Sequence, residues 1–229
     1  MSSAYEPDAD PSGPTAADRA RPDGGDIRKM TSEELGAVAG AVAQAFFDDP
    51  QMRWIAPDDG KRTLRLGPGF KTFIGRVWLP QGESYTHERM IGGAHWMPPG
   101  TWHMGLLAQL RLLPSIVRDI RGSTPRLLKL LGFQEKNHPR EPAHWYLAAV
   151  GVAPAWQGRG FGSALMRPVL ARCDTDGVPA YLEASSQRSR TLYERHGFEV
   201  IEECRCAREA PPLWRMWREP QPSGGAPVD

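Results

Sequence analysis

One stretch, 145–163, constrains this chain more than any other. Trp145 to Val152 is a near-continuous apolar run, as a strand buried on both faces requires. Pro154 closes it, and Gly158, Gly160 and Gly162 then alternate immediately before a helical segment. Glycines let a backbone turn its N–H groups inward and approach a ligand closely. A helix N-terminus adds unpaired N–H donors and partial positive charge. The segment therefore predicts a phosphate or pyrophosphate site. The dinucleotide fingerprint G-x-G-x-x-G does not fit, because its third glycine position is Ser163. A P-loop does not fit either, because its Gly-Lys-Ser/Thr end is missing.

The segments that follow extend the pattern. A helix runs from the glycine loop to about Asp174, with Pro168 expected to kink it. Val178–Ala184 reads as a strand and Ser189–His196 as a short helix, with Gly197 as its left-handed cap. Phe198–Cys206 and Leu213–Arg218 read as strands. This order is an α/β arrangement, with its crevice at the carboxyl end of the first strand. The strand 213–218 carries large side chains on both faces, which is compatible with a monomer or a homodimer.

The first half is less regular. Thr31 and Glu34 form a capping box before Leu35, Val38, Ala39, Val42 and Phe46, and Asp49-Pro50 is expected to end that helix. A second helix is expected between Asp58 and Leu79, broken near Gly67-Pro68-Gly69. Residues 83–97 fit a hairpin containing Gly92-Gly93, and 104–133 hold two leucine-rich helices split by Gly122 and Pro125.

Composition bounds the function. The chain has 229 residues and a net charge of +1. The acidic, Pro-rich stretch 1–26 and the stretch 220–229 are expected to be disordered tails, leaving a working domain at 27–219 with a charge of +6. That is too little for a nucleic-acid surface but suits weak steering of a polyanionic cofactor. No apolar run reaches about 18 residues, so no membrane span is expected. Three cysteines build no disulfide framework, and a cytoplasmic location is expected. His95 and His103 lack metal-ligand spacing, so no metal is expected.

Gln157-Gly158-Arg159-Gly160-Phe161-Gly162 resembles the Q/R-x-x-G-x-G/A acetyl-CoA pyrophosphate loop of the GNAT N-acetyltransferases. Tyr181-Leu182-Glu183-Ala184 and Leu192-Tyr193-Glu194-Arg195-His196-Gly197-Phe198 are similar to that family's following strand and helix. The branch containing puromycin N-acetyltransferase is the most similar, through Glu141-Pro142-Ala143, Trp145-Tyr146-Leu147 and, more loosely, 45–50 and 96–100. The resemblance implies the GNAT acyltransferase fold, a mixed, mostly antiparallel sheet flanked by helices. It implies that main-chain groups of Val150, Gly151 and Val152 hold the pantetheine arm of acetyl-CoA. The amides of Gln157, Gly158, Arg159, Gly160, Phe161, Gly162 and Ser163 would wrap the pyrophosphate. Ser189 stands where the family often has an asparagine that touches the cofactor.

The implied reaction is direct attack of an amine on the thioester, with Tyr193 protonating the departing thiolate. The base is less constrained. Glu183 lies among apolar strand residues, an environment that raises a carboxyl pKa toward neutrality. His144 is the second candidate and is expected at an exposed strand edge. Trp54, Trp78, Trp96 and Trp102 lie in the stretch where this family builds its acceptor pocket; most of them read as hydrophobic core, and if one or two line the pocket the acceptor carries an apolar or aromatic body. The expected substrate is a small-molecule primary amine. The rival expectations are a protein lysine or N-terminus, and a non-catalytic acyl-CoA-binding module.

Overall fold

The computed structural model describes residues 27–103 and 105–221. The expected tail at 1–26 and most of the one at 220–229 lie outside these residues. Seven strands form one sheet: β1 (Ile27–Lys29), β2 (Ser84–His87), β3 (Gly92–Met97), β4 (Trp145–Val152), β5 (Ala180–Ala184), β6 (Glu199–Cys204) and β7 (Leu213–Arg218). Their order is β1-β2-β3-β4-β5-β7-β6. Every neighbouring pair is antiparallel except β4 and β5.

Seven α-helices flank the sheet: α1 (Leu35–Ala45), α2 (Pro50–Ile55), α3 (Asp59–Phe73), α4 (Leu106–Ile120), α5 (Thr124–Asn137), α6 (Phe161–Asp176) and α7 (Gln187–Glu194). On one face, α6 buries Leu165, Met166 and Val169 against Trp96, Leu147 and Leu182. On the other, α2, α4 and α5 enclose Ile55, Ile116, Leu127 and Leu130 with Met97 and Leu213. Beside them, α1 packs Val38, Ala39 and Val42 on Ile74.

Three expectations for the first half change. The Thr31 N–H does donate to Glu34 Oε2 at 2.8 Å, as a capping box requires. Asp49-Pro50, however, starts a helix. Asp49 Oδ1 accepts from the amides of Gln51 (2.9 Å) and Met52 (3.2 Å), and Pro50 fills the first position, where no N–H is needed. α3 runs unbroken through Gly67-Pro68-Gly69, then tightens and widens irregularly through residues 74–81. Gly92-Gly93 lie inside β3, and the hairpin turn is 88–91. A Cβ on Gly92 would run into the Gly151 carbonyl oxygen, so this glycine serves close strand approach.

In the second half, β4 and β7 have the expected bounds. One feature of β4 is invisible in its apolar run. His95 pairs with Ala149 and Trp96 with Leu147, leaving Ala148 as the extra residue of a β-bulge. The bulge shifts the alternation. Trp145 and Leu147 face α6 before it, and Val150 and Val152 face the same cluster after it. Arg218 ties this half together. It bonds Asp174 of α6 through both terminal nitrogens (2.7 and 2.8 Å) and the His196 carbonyl through Nε (2.7 Å).

Candidate active site

The parallel pair β4–β5 is joined only at Trp145–Ala180 and Tyr146–Tyr181. Beyond that point comes the bulge, and the two strands part. A cleft of about 750 Å³ opens between them, walled by β4, β5, the glycine loop, α7 and the helices of the first half. Ala148 to Val152, Glu183, Ser189 and Tyr193 line it, with every residue of 157–163 except Arg159.

The loop is built to present donors. Gly158 and Gly160 take φ of 76° and 91°, the left-handed region that favours glycine. α6 then starts at Phe161, so the amides of its first turn have no acceptor within the helix. A pyrophosphate matches this donor set, since backbone amides do not titrate and helix starts favour anions. The loop's side chains mostly do other work. Gln157 Nε2 donates to the Val152 carbonyl at 2.9 Å, pinning the loop to the end of β4. That carbonyl is therefore committed within the chain. Arg159 donates to Ala155 O (3.0 Å) and lies over the Trp156 ring at 5.1 Å. Phe161 is buried against His87 and Trp156. Ser163 Oγ meets His196 Nε2 at 2.8 Å, linking α6 to α7. Ser189 closes a capping box, its Oγ accepting from the Ser186 N–H (3.1 Å) and donating to Ser186 O (2.9 Å). That box fixes the start of α7 and so the placement of Tyr193 one turn later.

Glu183 sits on the cleft side of β5. Tyr146 donates to its Oε2 and Tyr181 to its Oε1, each at 2.9 Å. Arg215 Nε in turn donates to the Tyr181 hydroxyl at 3.2 Å. Burial pushes the Glu183 carboxyl up to about 7, against the opposing pull of the two phenols and Arg215. Tyr193 is buried, and its phenol is raised first by burial and then by the charge of Asp49. It stays protonated across the physiological range.

Asp49 is the residue that sequence inspection misses. Its Oδ2 accepts from the Ser185 hydroxyl while its Oδ1 caps α2, and it lines the cleft. Burial raises its carboxyl to about 6, although Ser185 and the Met52 and Gln51 amides pull the other way. Alternation along β5 sets Tyr181, Glu183 and Ser185 on one side, so the two carboxylates meet neighbouring sites roughly 7 Å apart along the strand. The signal that could have found Asp49 is Asp-Pro itself, a cap followed by a first-turn proline.

His144 is not at an exposed edge. It is 2 % exposed, its Nε2 lies 3.0 Å from His138 Nε2, and its Nδ1 lies 2.7 Å from Pro142 O. Burial lowers both imidazoles, His138 to about 3. His138 packs edge-on against both Tyr146 and Tyr181, so the pair buttresses the phenols that hold Glu183. Of these four tryptophans Trp78 lines the cleft and the other three do not, in line with a mostly core reading. Trp96 is fully buried core, and Trp102 stacks on His138 at 3.9 Å. The apolar part of the cleft is walled by Phe70, Phe73, Trp78, Ile120 and Leu130. Among the described residues no group of three or more His, Cys, Asp or Glu is arranged to hold a metal, and no helix is long and apolar enough to cross a membrane.

Residues 127–198 match the sequence profile of the Acetyltransferase (GNAT) family. An uncharacterized N-acetyltransferase of Schizosaccharomyces pombe is 27% identical over 205 residues, covering 85% of this chain and 83% of its own. The crystal structure described as histone acetyltransferase HPA2 and related acetyltransferase from Corynebacterium glutamicum superposes with a TM-score of 0.63 at 24% identity, over 86% of this chain and 98% of its own. Arylalkylamine N-acetyltransferase 2 from Aedes aegypti does so with a TM-score of 0.62 at 15% identity, over 85% and 98%. These two likenesses are of fold.

Proposed function

We propose that this chain, whose residues 127–198 match the GNAT family, is an N-acetyltransferase that moves the acetyl group of acetyl-CoA to the primary amine of a small molecule by direct attack. The working unit assigned to this task is 27–219. The observation that carries the reading is the convergence, where β4 leaves β5, of a donor-lined glycine loop, a protonated phenol and a carboxyl raised toward neutrality.

In this reading the amides of 157–163 hold the pyrophosphate, and main-chain groups of Val150 and Val152 hold the pantetheine arm, those of Gly151 between them being turned to β3. Val152 contributes through its N–H side only, since Gln157 occupies its carbonyl. Glu183 takes the proton that the amine sheds on attack; a carboxyl near 7 is half ionised at working pH, the condition for a base. Tyr193 gives its proton to the thiolate as the carbon–sulfur bond breaks. The Ser189 hydroxyl, spent on the α7 cap, serves by fixing Tyr193.

A second assignment of the base is Asp49. Its bond to Ser185 and its influence on Tyr193 favour that version, because they set it beside the leaving group. The walled acceptor end supports a small amine with an apolar body over a protein chain. One structural neighbour is named for action on arylalkylamines, which agrees with such an acceptor. Thiol release from acetyl-CoA across a panel of arylalkylamines, alkylamines, aminonucleosides and peptides, with products weighed by mass spectrometry, tests the reading. Cofactor binding without thiol release for any amine would leave only an acyl-CoA-binding module.

A further inference from the structure

A second cavity, of about 450 Å³, adjoins the acceptor end of the cleft. Ile55, Ala56 and Arg65 line both, so these residues form the wall that the two spaces share. Their character differs. The cleft balances three carboxylates, Asp48, Asp49 and Glu183, with three arginines, Arg65, Arg188 and Arg195, while the second cavity carries three cations, Lys61, Arg65 and Arg126, against the single carboxylate Asp58. Asp58 is already engaged, bonding the Lys61 amide at 2.7 Å and lying 3.9 Å from its ammonium.

Arg65 stands at the junction. It is half-buried, and its side chain bonds only a neutral group, the Ser123 hydroxyl, at 2.7 Å from Nη1. Among the described residues no carboxylate pairs with it. The next arginine on α3 is different: Arg62 is fully buried and bonded to Asp59 and to the Ala56 and Pro57 carbonyls. Arg126 lies on the far wall, spending Nη1 on the Trp54 carbonyl at 2.7 Å. A half-buried guanidinium with no carboxylate partner leaves its charge available to an anionic group of a ligand. Its planar fork suits a carboxylate held by two parallel bonds, and Ser123, which accepts from Arg65, still has its own proton to donate.

We infer that the acceptor is bipolar: an amine at one end, an apolar body along Ile55 and Ala56, and a carboxylate held by Arg65 and Ser123. This deepens the proposed function and rests on it, for it names the class of amine that the same cleft accepts. The inference uses Arg65 and Ser123 from α3 and the turn before α5, elements apart from the glycine loop.

The test pairs each carboxylate with its neutral isostere: 4-(2-aminoethyl)benzoate against 4-(2-aminoethyl)benzamide, and 8-aminooctanoate against 8-aminooctanamide. Calorimetry in the presence of coenzyme A reads binding, and thiol release from acetyl-CoA reads turnover. The carboxylate of at least one pair is expected to bind about tenfold tighter than its amide. Arg65→Gln should bring that ratio close to one, and Arg65→Lys should restore part of it. Equal binding within both pairs to the unaltered protein overturns the inference, whatever the variants do. Preferential binding of a carboxylate with no thiol release from any amine would keep the subsite and sink the transferase reading, so the two failures separate.

Discussion

Tyr193, Glu183 and Asp49 carry the chemistry proposed here, and each is tuned by burial more than by a partner charge. Replacing Tyr193 with Phe removes a proton and little volume. Turnover should fall about a hundredfold or more while the Kd of acetyl-CoA changes little. Turnover equal to the unaltered enzyme would remove the acid role. The two carboxyls are separable by pH. With Glu183 as base, kcat/KM should rise with pH through about 7, following deprotonation of that carboxyl. Glu183→Gln should abolish that limb, and Asp49→Asn should leave it in place at lower amplitude. A limb near 6 that Asp49→Asn alone removes would transfer the base role to Asp49. At this scale the sequence showed Glu183 in an apolar strand but not its phenol partners. Tyr146 is 37 residues away and reaches Glu183 only through the parallel register that sets it beside Tyr181.

At the scale of elements, the glycine loop and the splayed strands make the cleft. Gly158 has φ of 76° with open space around a would-be Cβ, so Gly158→Ala costs backbone conformation alone. The free loop can shed that cost by leaving the left-handed turn, so the substitution should weaken acetyl-CoA binding by about 1–2 kcal/mol and lower the melting temperature by no more than a few degrees, readable by calorimetry and thermal denaturation. An unchanged Kd would mean the left-handed turn does not matter for the anion site. Loop, strand and helix were legible because each rests on local rules: a buried apolar run, alternating glycines, a helix start. The bulge at Ala148 was not. A run buried on both faces keeps no alternation to interrupt, so the slip shows only against β3. α2 was missed for a related reason: six residues are too few to display a helical period, and only its Asp-Pro start gives it away.

Over the whole molecule, the buried carboxyls make stability depend on pH. Glu183 titrates at about 7 in the fold and near 4.3 in an unfolded chain. Its contribution is fully present below about pH 4.3 and is lost as pH rises through 7, up to about 4 kcal/mol as an upper bound. Glu183→Gln should therefore flatten stability between pH 5 and 8, and chemical denaturation at both pH values reads it. An equal slope in both proteins would show that Glu183 is not desolvated in the fold. The sequence by itself determined the strand–loop–helix segment proposed as the anion site, the strands β4 and β7 to the residue, and the helix that bears Tyr193, because periodicity and left-handed glycines are properties of contiguous residues. Tertiary structure alone decided that Asp49 meets Ser185 across 136 residues, that His144 is buried against His138, that Trp96 is core while Trp78 lines the cleft, and that Arg65 bonds Ser123 rather than a carboxylate. Desolvation and convergence depend on what distant segments bring to one point, and no local pattern records that.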